Sequence, residues 1–226
     1  MDRYTSAENL LTDEERESLL PLSHPVTYPG GSVLVREGDS STFVLYLRSG
    51  HIKAETSNPR AIVYIYSPGK IVGELAAITS ARRTADLVAL NGVEADLIPG
   101  DVWLDFLLKN RRATLAMFEH LANRIVSKDL SRPESVTSTE HKIAKGLLRL
   151  VAAGMGKPVE DGLRISGVTQ RDIGSLSGLS RESAAVVLRM LRESNTVSTG
   201  RGHLTIHDLG AIEKLAQRNG PAPLAR

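Results

Sequence analysis

The sequence contains no cysteine. Disulfides, zinc–thiolate sites and cysteine-ligated iron–sulfur clusters are therefore excluded, and the chain fits a cytoplasmic protein. Aromatic residues are scarce as well. Three Phe, five Tyr and one Trp amount to 4% of 226 residues, so any core rests on Leu, Val, Ile and Ala. No apolar run reaches the length of a membrane span, and no membrane partner is expected. Residues Met1 to Glu17 mix both charges instead of placing a basic stretch before an apolar one, so no signal peptide is expected. The six histidines, His24, His51, His120, His141, His203 and His207, are scattered. A metal-dependent barrel enzyme would need paired His with a nearby Glu, so no metal and no catalytic residue is expected. Haem held by an exposed histidine such as His51 has as little support.

What is present is charge, and its distribution is uneven. Residues 139–226 hold 13 Lys/Arg against 8 Asp/Glu, a net +5, while the remainder holds 15 against 18, a net −3. A basic C-terminal part behind an acidic N-terminal part is the pattern of a separate nucleic-acid-reading module.

From Pro21 to about Pro99 the chain reads as strands. Short apolar runs (32–35, 43–47, 61–66, 86–90 and 93–98) are broken by Pro29-Gly30-Gly31, Glu37-Gly38-Asp39, Ser49-Gly50, Ser67-Pro68-Gly69 and Asn91-Gly92. Short strands with turns at such intervals predict a sandwich or barrel. A leading helix is expected over Ser6 to Leu20, with Thr12 as N-cap and Glu15 three residues on.

The next stretch reads as helical, with Asp101 as a plausible N-cap after Pro99-Gly100. From about Ala113, the residues Leu115, Phe118, Ala122, Ile125 and Asp129 recur at spacings of three and four, and Leu121 thickens the stripe. This is a seam for pairing with a second helix, or the inner face of a helix packed on its own barrel. Pro133 should stop or kink it. A polar hinge, Ser135 to Thr139, follows. The expected division is a sensor domain over 1–112, a dimerisation helix and hinge over 113–138, and a DNA-binding domain over 139–226.

The last stretch opens with a helix from about Thr139, with Ile143, Leu147, Leu148 and Val151 on one face and Gly154 to Pro158 ending it. Thr169-Gln170-Arg171-Asp172 starts a short helix in which Thr169 caps and Asp172 occupies the third helical position. Gly178-Leu179 makes a turn. Ser180 caps a second helix, Arg181 to about Arg192. Ala184, Val187, Leu188 and Leu191 form its packing face, and Arg181, Glu182, Ala185 and Arg189 the opposite one. Such a face enters a major groove, where Arg can bond guanine and Glu can accept from cytosine. Thr196 to Ser198, the Gly200-Arg201-Gly202 turn and His203 to Ile206 read as a wing offering Arg201 and His203 to phosphates. A helix from Leu209 to Ala216 packs behind. A winged helix used for protein contacts is the alternative.

One more segment carries chemistry. Gly73-Glu74-Leu75 precedes a short helical turn and then Arg83-Thr84-Ala85. A carboxylate, backbone N–H groups at a helix start and an Arg beside a hydroxyl make a sugar-phosphate cradle. The plainer reading is a surface salt bridge between Glu74 and Arg83.

Residues 68–85 resemble the phosphate-binding cassette of cyclic-nucleotide-binding domains. Tyr28 to Asp39 and Phe43 to Lys53 resemble the strands before it. Val168 to Ile206, notably Leu179-Ser180-Arg181-Glu182-Ser183, resembles the helix-turn-helix of the cyclic-AMP receptor protein/FNR family. The resemblance runs in order from about Leu20 to Ala216. It implies an α+β protein: an N-terminal double-stranded β-helix (jelly-roll) domain that binds a cyclic nucleotide, a long dimerisation helix and a C-terminal winged helix-turn-helix. It also implies a homodimer, a palindromic double-stranded DNA operator, cyclic AMP or a related cyclic nucleotide as allosteric effector, and RNA polymerase as a further partner. Glu74 would hold the ribose hydroxyl and Arg83 the cyclic phosphate. Gly73, Leu75 and Thr84 would complete the cradle, and Ser127 and Lys128 would face the base. Thr169, Gln170, Ser180, Arg181, Glu182, Ala185, Val186, Arg189, Arg201 and His203 would meet DNA.

Four residues depart from the family pattern, one of them Arg82, which stands where many relatives have Pro and changes the charge but not the fold logic. Lys128 stands where a small hydroxyl is usual, which favours a different base, a second phosphate, another metabolite such as a cyclic dinucleotide, or no ligand. Val186 replaces a base-reading Arg; Val can touch a thymine methyl but cannot bond guanine. Pro133 shortens the dimer helix.

Overall fold

The computed structural model describes residues 10–130 and 137–217, with the backbone alone for 127–130. Helix α1 (Asp13–Leu19) begins at Thr12, whose hydroxyl accepts from Glu15 N while the Glu15 carboxylate accepts from Thr12 N. The expected start at Ser6 is not where the helix begins: Leu10 and Leu11 are buried in a bend before it, and Ser6 lies outside the described residues.

Eight strands follow: β1 (His24–Tyr28), β2 (Val33–Val35), β3 (Val44–Ser49), β4 (Ile52–Ser57), β5 (Arg60–Tyr66), β6 (Ile71–Val72), β7 (Asp86–Ala89) and β8 (Val93–Ile98), with the six-residue helix α2 (Glu74–Thr79) between β6 and β7. They form two antiparallel sheets, β1-β8-β3-β6 and β2-β7-β4-β5. Their inner faces meet through Leu45, Leu47, Val72, Val93 and Ala95 from one sheet and Val35, Ile52, Tyr66, Leu87 and Ala89 from the other. The outer face of the first sheet is also covered. Val44, Tyr46, Ile71 and Ile98 pack against α1, α3 (Gly100–Lys109) and α4 (Arg111–Leu130) through Leu19, Trp103, Leu107, Ala113 and Met117. Strand β3 is therefore buried on both sides and reads as a continuous apolar run.

Helix α3 begins two residues earlier than expected. Pro99 is its N-cap, and Asp101 lies within the first turn, where its charge complements the helix dipole. Asn110 separates α3 from α4, and its Oδ1 accepts from Ala113 N at 3.1 Å. Helix α4 divides the expected seam between two faces. Ala113 and Met117 are buried on the barrel and Leu121 packs beside them. Leu115, Phe118 and Ile125 remain 60%, 66% and 63% exposed, so this stripe is open to a partner. Pro133 and the first part of the hinge lie outside the described residues.

The C-terminal part comprises α5 (Thr139–Ala152), β9 (Gly156–Val159), β10 (Gly162–Ser166), α6 (Gln170–Leu176), α7 (Arg181–Glu193), β11 (Val197–Gly200), β12 (His203–Ile206) and α8 (Leu209–Gln217). The segment expected only to end α5 continues into a hairpin, β9–β10, that extends the wing into a four-stranded sheet of order β11-β12-β10-β9. Ile143, Leu147, Leu150, Ile165, Ile173, Val187, Leu188, Leu191 and Leu204 form one core, joined by Ile62 and Leu90 of the barrel. Leu148 and Val151, expected on the inner face of α5, are only partly buried; Ala144 and Leu150 take that side.

Polar contacts join the barrel to this part. Lys53 Nζ donates to Asp172 Oδ1 at 2.6 Å, Ile62 N to Ser175 Oγ at 3.1 Å, and Ser67 Oγ to Ala153 O at 2.8 Å. Gly167, at φ +83°, sits so close to the barrel that a Cβ there would lie 2.1 Å from Leu90 O. Among the described residues no helix is long and apolar enough to cross a membrane.

Candidate functional site

Strand β6 hands the chain to α2 through Gly73, whose φ of +88° is one that residues with a side chain rarely adopt. A Cβ at Gly73 would also stand 2.5 Å from Arg83 Nη1. This turn buries Glu74 to 1% exposure at the start of α2. Its carboxylate meets the Arg124 guanidinium, which reaches in from α4 and lies over the Tyr64 ring at 5.2 Å. Burial pushes the Glu74 carboxyl above the usual carboxylate range, and the Arg124 charge opposes that rise.

Arg83 is equally enclosed. Its Nη1 donates to Gly73 O and its Nη2 to Phe43 O, both at 2.7 Å, and its Nε to Ser41 Oγ at 3.1 Å. These bonds aim the guanidinium across the Gly73 turn. The plainer reading, a surface pair between Glu74 and Arg83, does not hold, because both residues are buried and Glu74 pairs with Arg124. Gly73, Glu74, Leu75, Arg83 and Thr84 all line one cavity of about 1060 Å³. Ser127 and Lys128 occupy the last turns of α4, and their side chains lie outside the described residues.

Sequence reasoning missed Arg124, Tyr64 and Tyr66. The two tyrosines, spaced i, i+2 on β5, point to one face with ring centroids 4.7 Å apart. That spacing was the available signal. Arg124 carried none, because a single Arg beside an apolar stripe reads as a solvated residue.

The second site is the outer surface of α6, α7 and the wing. Thr169 and Asp172 form the expected capping box of α6, and Ser180 Oγ accepts from Ser183 N at the start of α7. Gly178 makes the turn between them at φ +64°. Ala184, Val187, Leu188 and Leu191 are buried, which turns Arg181, Glu182, Val186 and Arg189 to solvent, with Ala185 half-buried. Met190, 40% exposed, extends this surface and was not anticipated. Thr169 and Ser180 are exposed and Gln170 is half-buried. Arg201 projects at the tip of the β11–β12 hairpin. His203 does not extend beside it: its ring lies against Gly200 and is half-buried. Arg192 Nη1 donates to Thr199 Oγ1 at 3.2 Å and ties α7 to the wing.

His51 is not exposed, contrary to the haem-based reading. It is buried, with Nε2 on Ala153 O at 2.9 Å and Nδ1 beside Asn91 Nδ2 at 3.2 Å. Among the described residues no group of three or more His, Cys, Asp or Glu could hold a metal ion.

Two family models match the chain. Residues 25–110 match the cyclic nucleotide-binding domain, and residues 141–215 match the Crp-like helix-turn-helix domain. The chain is 24% identical over 213 residues to the cyclic AMP receptor protein of Thermus thermophilus, covering 91% of this chain and 94% of that one. It is 25% identical over 193 residues to the cAMP-activated global transcriptional regulator CRP of Escherichia coli O157:H7, covering 83% and 91%. Among solved structures it resembles the c-di-GMP responsive global regulator CLP of Xanthomonas campestris, with a TM-score of 0.72 at 21% identity, covering 87% of this chain and all of that one. A CRP/FNR-family transcriptional regulator of Thermus thermophilus gives 0.73 at 17% identity over the same shares.

Proposed function

The chain belongs to the cyclic-AMP receptor protein/FNR family of DNA-binding transcription regulators, and from that premise we propose that it is a cytoplasmic homodimer switched by a cyclic nucleotide such as cyclic AMP. The observation that carries the effector reading is the cradle. Glu74, buried at the start of α2, and Arg83, held across the Gly73 turn, open onto one cavity. A carboxylate there accepts from ribose hydroxyls, and a guanidinium with N–H groups beyond its three internal bonds pairs with a phosphate.

Residues 1–112 serve as sensor, 113–138 as dimer helix and hinge, and 139–226 as DNA-binding domain. The exposed stripe of Leu115, Phe118 and Ile125 meets the same stripe on a second copy. Two α7 helices then reach successive major grooves of a palindromic operator, about 34 Å apart. Arg181, Glu182, Ala185, Val186 and Arg189 read bases, while Thr169, Gln170, Ser180 and Arg201 position the duplex through its backbone. The bound dimer contacts RNA polymerase. No residue is assigned a catalytic step. Ligand binding shifts the DNA-competent arrangement only through its differential affinity for that state.

The test is fluorescence anisotropy on DNA that the chain itself selects from a random pool, with and without saturating cyclic AMP. The nucleotide should tighten binding, and Arg83→Leu should erase that response. Equal affinity in both conditions would overturn the switch. A second reading keeps DNA binding and replaces cyclic AMP with another effector or none. Lys128, standing where the family has a small hydroxyl, favours it.

A further inference from the structure

The cavity does not end at the cradle. Its far wall is one face of α5, formed by His141, Lys142, Lys145 and Arg149. The three cations stand at i, i+3 and i+7, the spacing that stacks side chains along one side of a helix. With Arg83 and Arg124, five cationic side chains line the space. Among its described lining residues the only carboxylate is Glu74, which already meets Arg124. A cyclic mononucleotide would bring a single phosphate to a space with cations at both ends.

Size points the same way. At about 1060 Å³ the cavity lies just above the range of roughly 300–1,000 Å³ typical of small-molecule sites. Polar groups on the α5 side are placed for a ligand as well. Arg149 Nη1 caps Leu176 O at 3.1 Å, and the guanidinium has four further N–H groups. Ser177 Oγ, on the same wall, is buried and has no partner among the described residues. Tyr64 and Tyr66 supply aromatic surface between the two ends.

We infer that the effector is a nucleotide carrying a second phosphate: the Arg83 cradle takes one phosphate and the Lys142, Lys145 and Arg149 face of α5 takes the other. The inference rests on the cradle reading above and names the ligand class for that cavity. Its consequence is mechanical. The cradle belongs to the barrel and α5 to the DNA-binding part, so one ligand touching both would fix how they sit.

The experiment is calorimetric titration of the full, nucleotide-free chain with three probes: cyclic AMP, cyclic di-GMP and the linear dinucleotide pGpG. It is repeated on Arg83→Leu and on the double variant Lys142→Gln/Lys145→Gln. A dinucleotide should bind at least about tenfold more tightly than cyclic AMP, as charge-assisted hydrogen bonds to a second phosphate imply. The double variant should lose about tenfold for that dinucleotide and change cyclic AMP binding by less than about twofold. The cyclic and linear probes distinguish the two forms of the ligand. Thermal melting of the double variant reports its fold, and a steeper salt dependence for the dinucleotide than for cyclic AMP gives a readout on the unmodified chain. Undiminished dinucleotide binding by the double variant, or tighter binding of cyclic AMP than of both dinucleotides, overturns the inference. In either case, cyclic AMP binding that vanishes in Arg83→Leu leaves the cradle reading standing. Binding of no nucleotide, or binding indifferent to Arg83→Leu, overturns both.

Discussion

Replacing Lys53 with Met should separate two ion pairs that look alike by distance. Lys53 Nζ lies 2.6 Å from Asp172 Oδ1, and Lys109 Nζ lies 2.6 Å from Asp105 Oδ2. The first pair is 10% and 11% exposed and joins the barrel to α6; the second is 75% and 60% exposed within one helix. An exposed i, i+4 pair contributes about 0.3–0.5 kcal/mol. Breaking a buried pair costs about 3–5 kcal/mol, because the surviving charge has lost its counterion. Lys53 also faces Glu55 at 3.3 Å, so its loss strands two carboxylates. Both retain support, Asp172 from Thr169 N and Oγ1 and Glu55 from Arg60, which places the expected cost at the lower end, about 3 kcal/mol. For a chain of this size that is a fall of about 6–12 °C in melting temperature. The assay is equilibrium urea unfolding of Lys53→Met, Asp172→Asn and the double variant. The cycle cancels the capping contribution that Asp172→Asn removes on its own. A coupling of about 2 kcal/mol is expected, against less than about 0.5 kcal/mol for Lys109 with Asp105. Equal coupling in the two pairs would refute the argument from burial.

Other outcomes follow from the same structure. Burial, with Arg124 and Lys70 nearby, lowers the His120 pKa to about 4, and burial also lowers that of His51. Both histidines fold in the neutral form. For both, the contribution is complete above the ordinary value of about 6.5 and is lost as pH falls below it, for His120 down to about 4. Urea midpoints measured across that window should fall with acidification, and His120→Gln should flatten the slope. Phe118→Glu with Ile125→Glu, both at exposed positions of α4, should convert a dimer to a monomer in analytical ultracentrifugation without lowering the melting temperature of the barrel. Val186→Arg should shift the selected half-site toward guanine at the facing position by about 1–3 kcal/mol, read by competition between selected DNAs.

Much of the fold was legible because its punctuation is local. The Thr12–Glu15 and Thr169–Asp172 boxes and the Ser180 cap need only residues three apart. The missing strands failed for identifiable reasons. Strand β4 alternates Ile52, Lys53, Ala54 and Glu55, and its charges argue against burial. They are buried because Asp172, 119 residues away, supplies the counter-charge for Lys53, and Arg60 and Lys53 supply it for Glu55. Strand β9 contains Gly156 and Pro158 and so resembles the end of a helix; it pairs only because β10 brings a ladder to it. Periodicity found the stripe on α4 but could not divide it, since Ala113 and Met117 are claimed by the barrel while Leu115 and Phe118 are not. In the cradle, the types and spacing of Glu74 and Arg83 were readable. Arg124 was not, because its role depends on the fold bringing it to Glu74, 50 residues away in sequence.

Gly167 carries a consequence for how such a molecule could be controlled by hand. With its α-carbon against Leu90 O, the barrel and the DNA-binding part touch there backbone to backbone, with no side chain to yield. One added methyl group would act as a shim. It would prise the two parts apart at a chosen point, far in sequence from the Gly73 turn and outside the Arg181 helix, and leave every group assigned to ligand or DNA chemically intact. The joint between sensing and reading can therefore be opened by geometry alone.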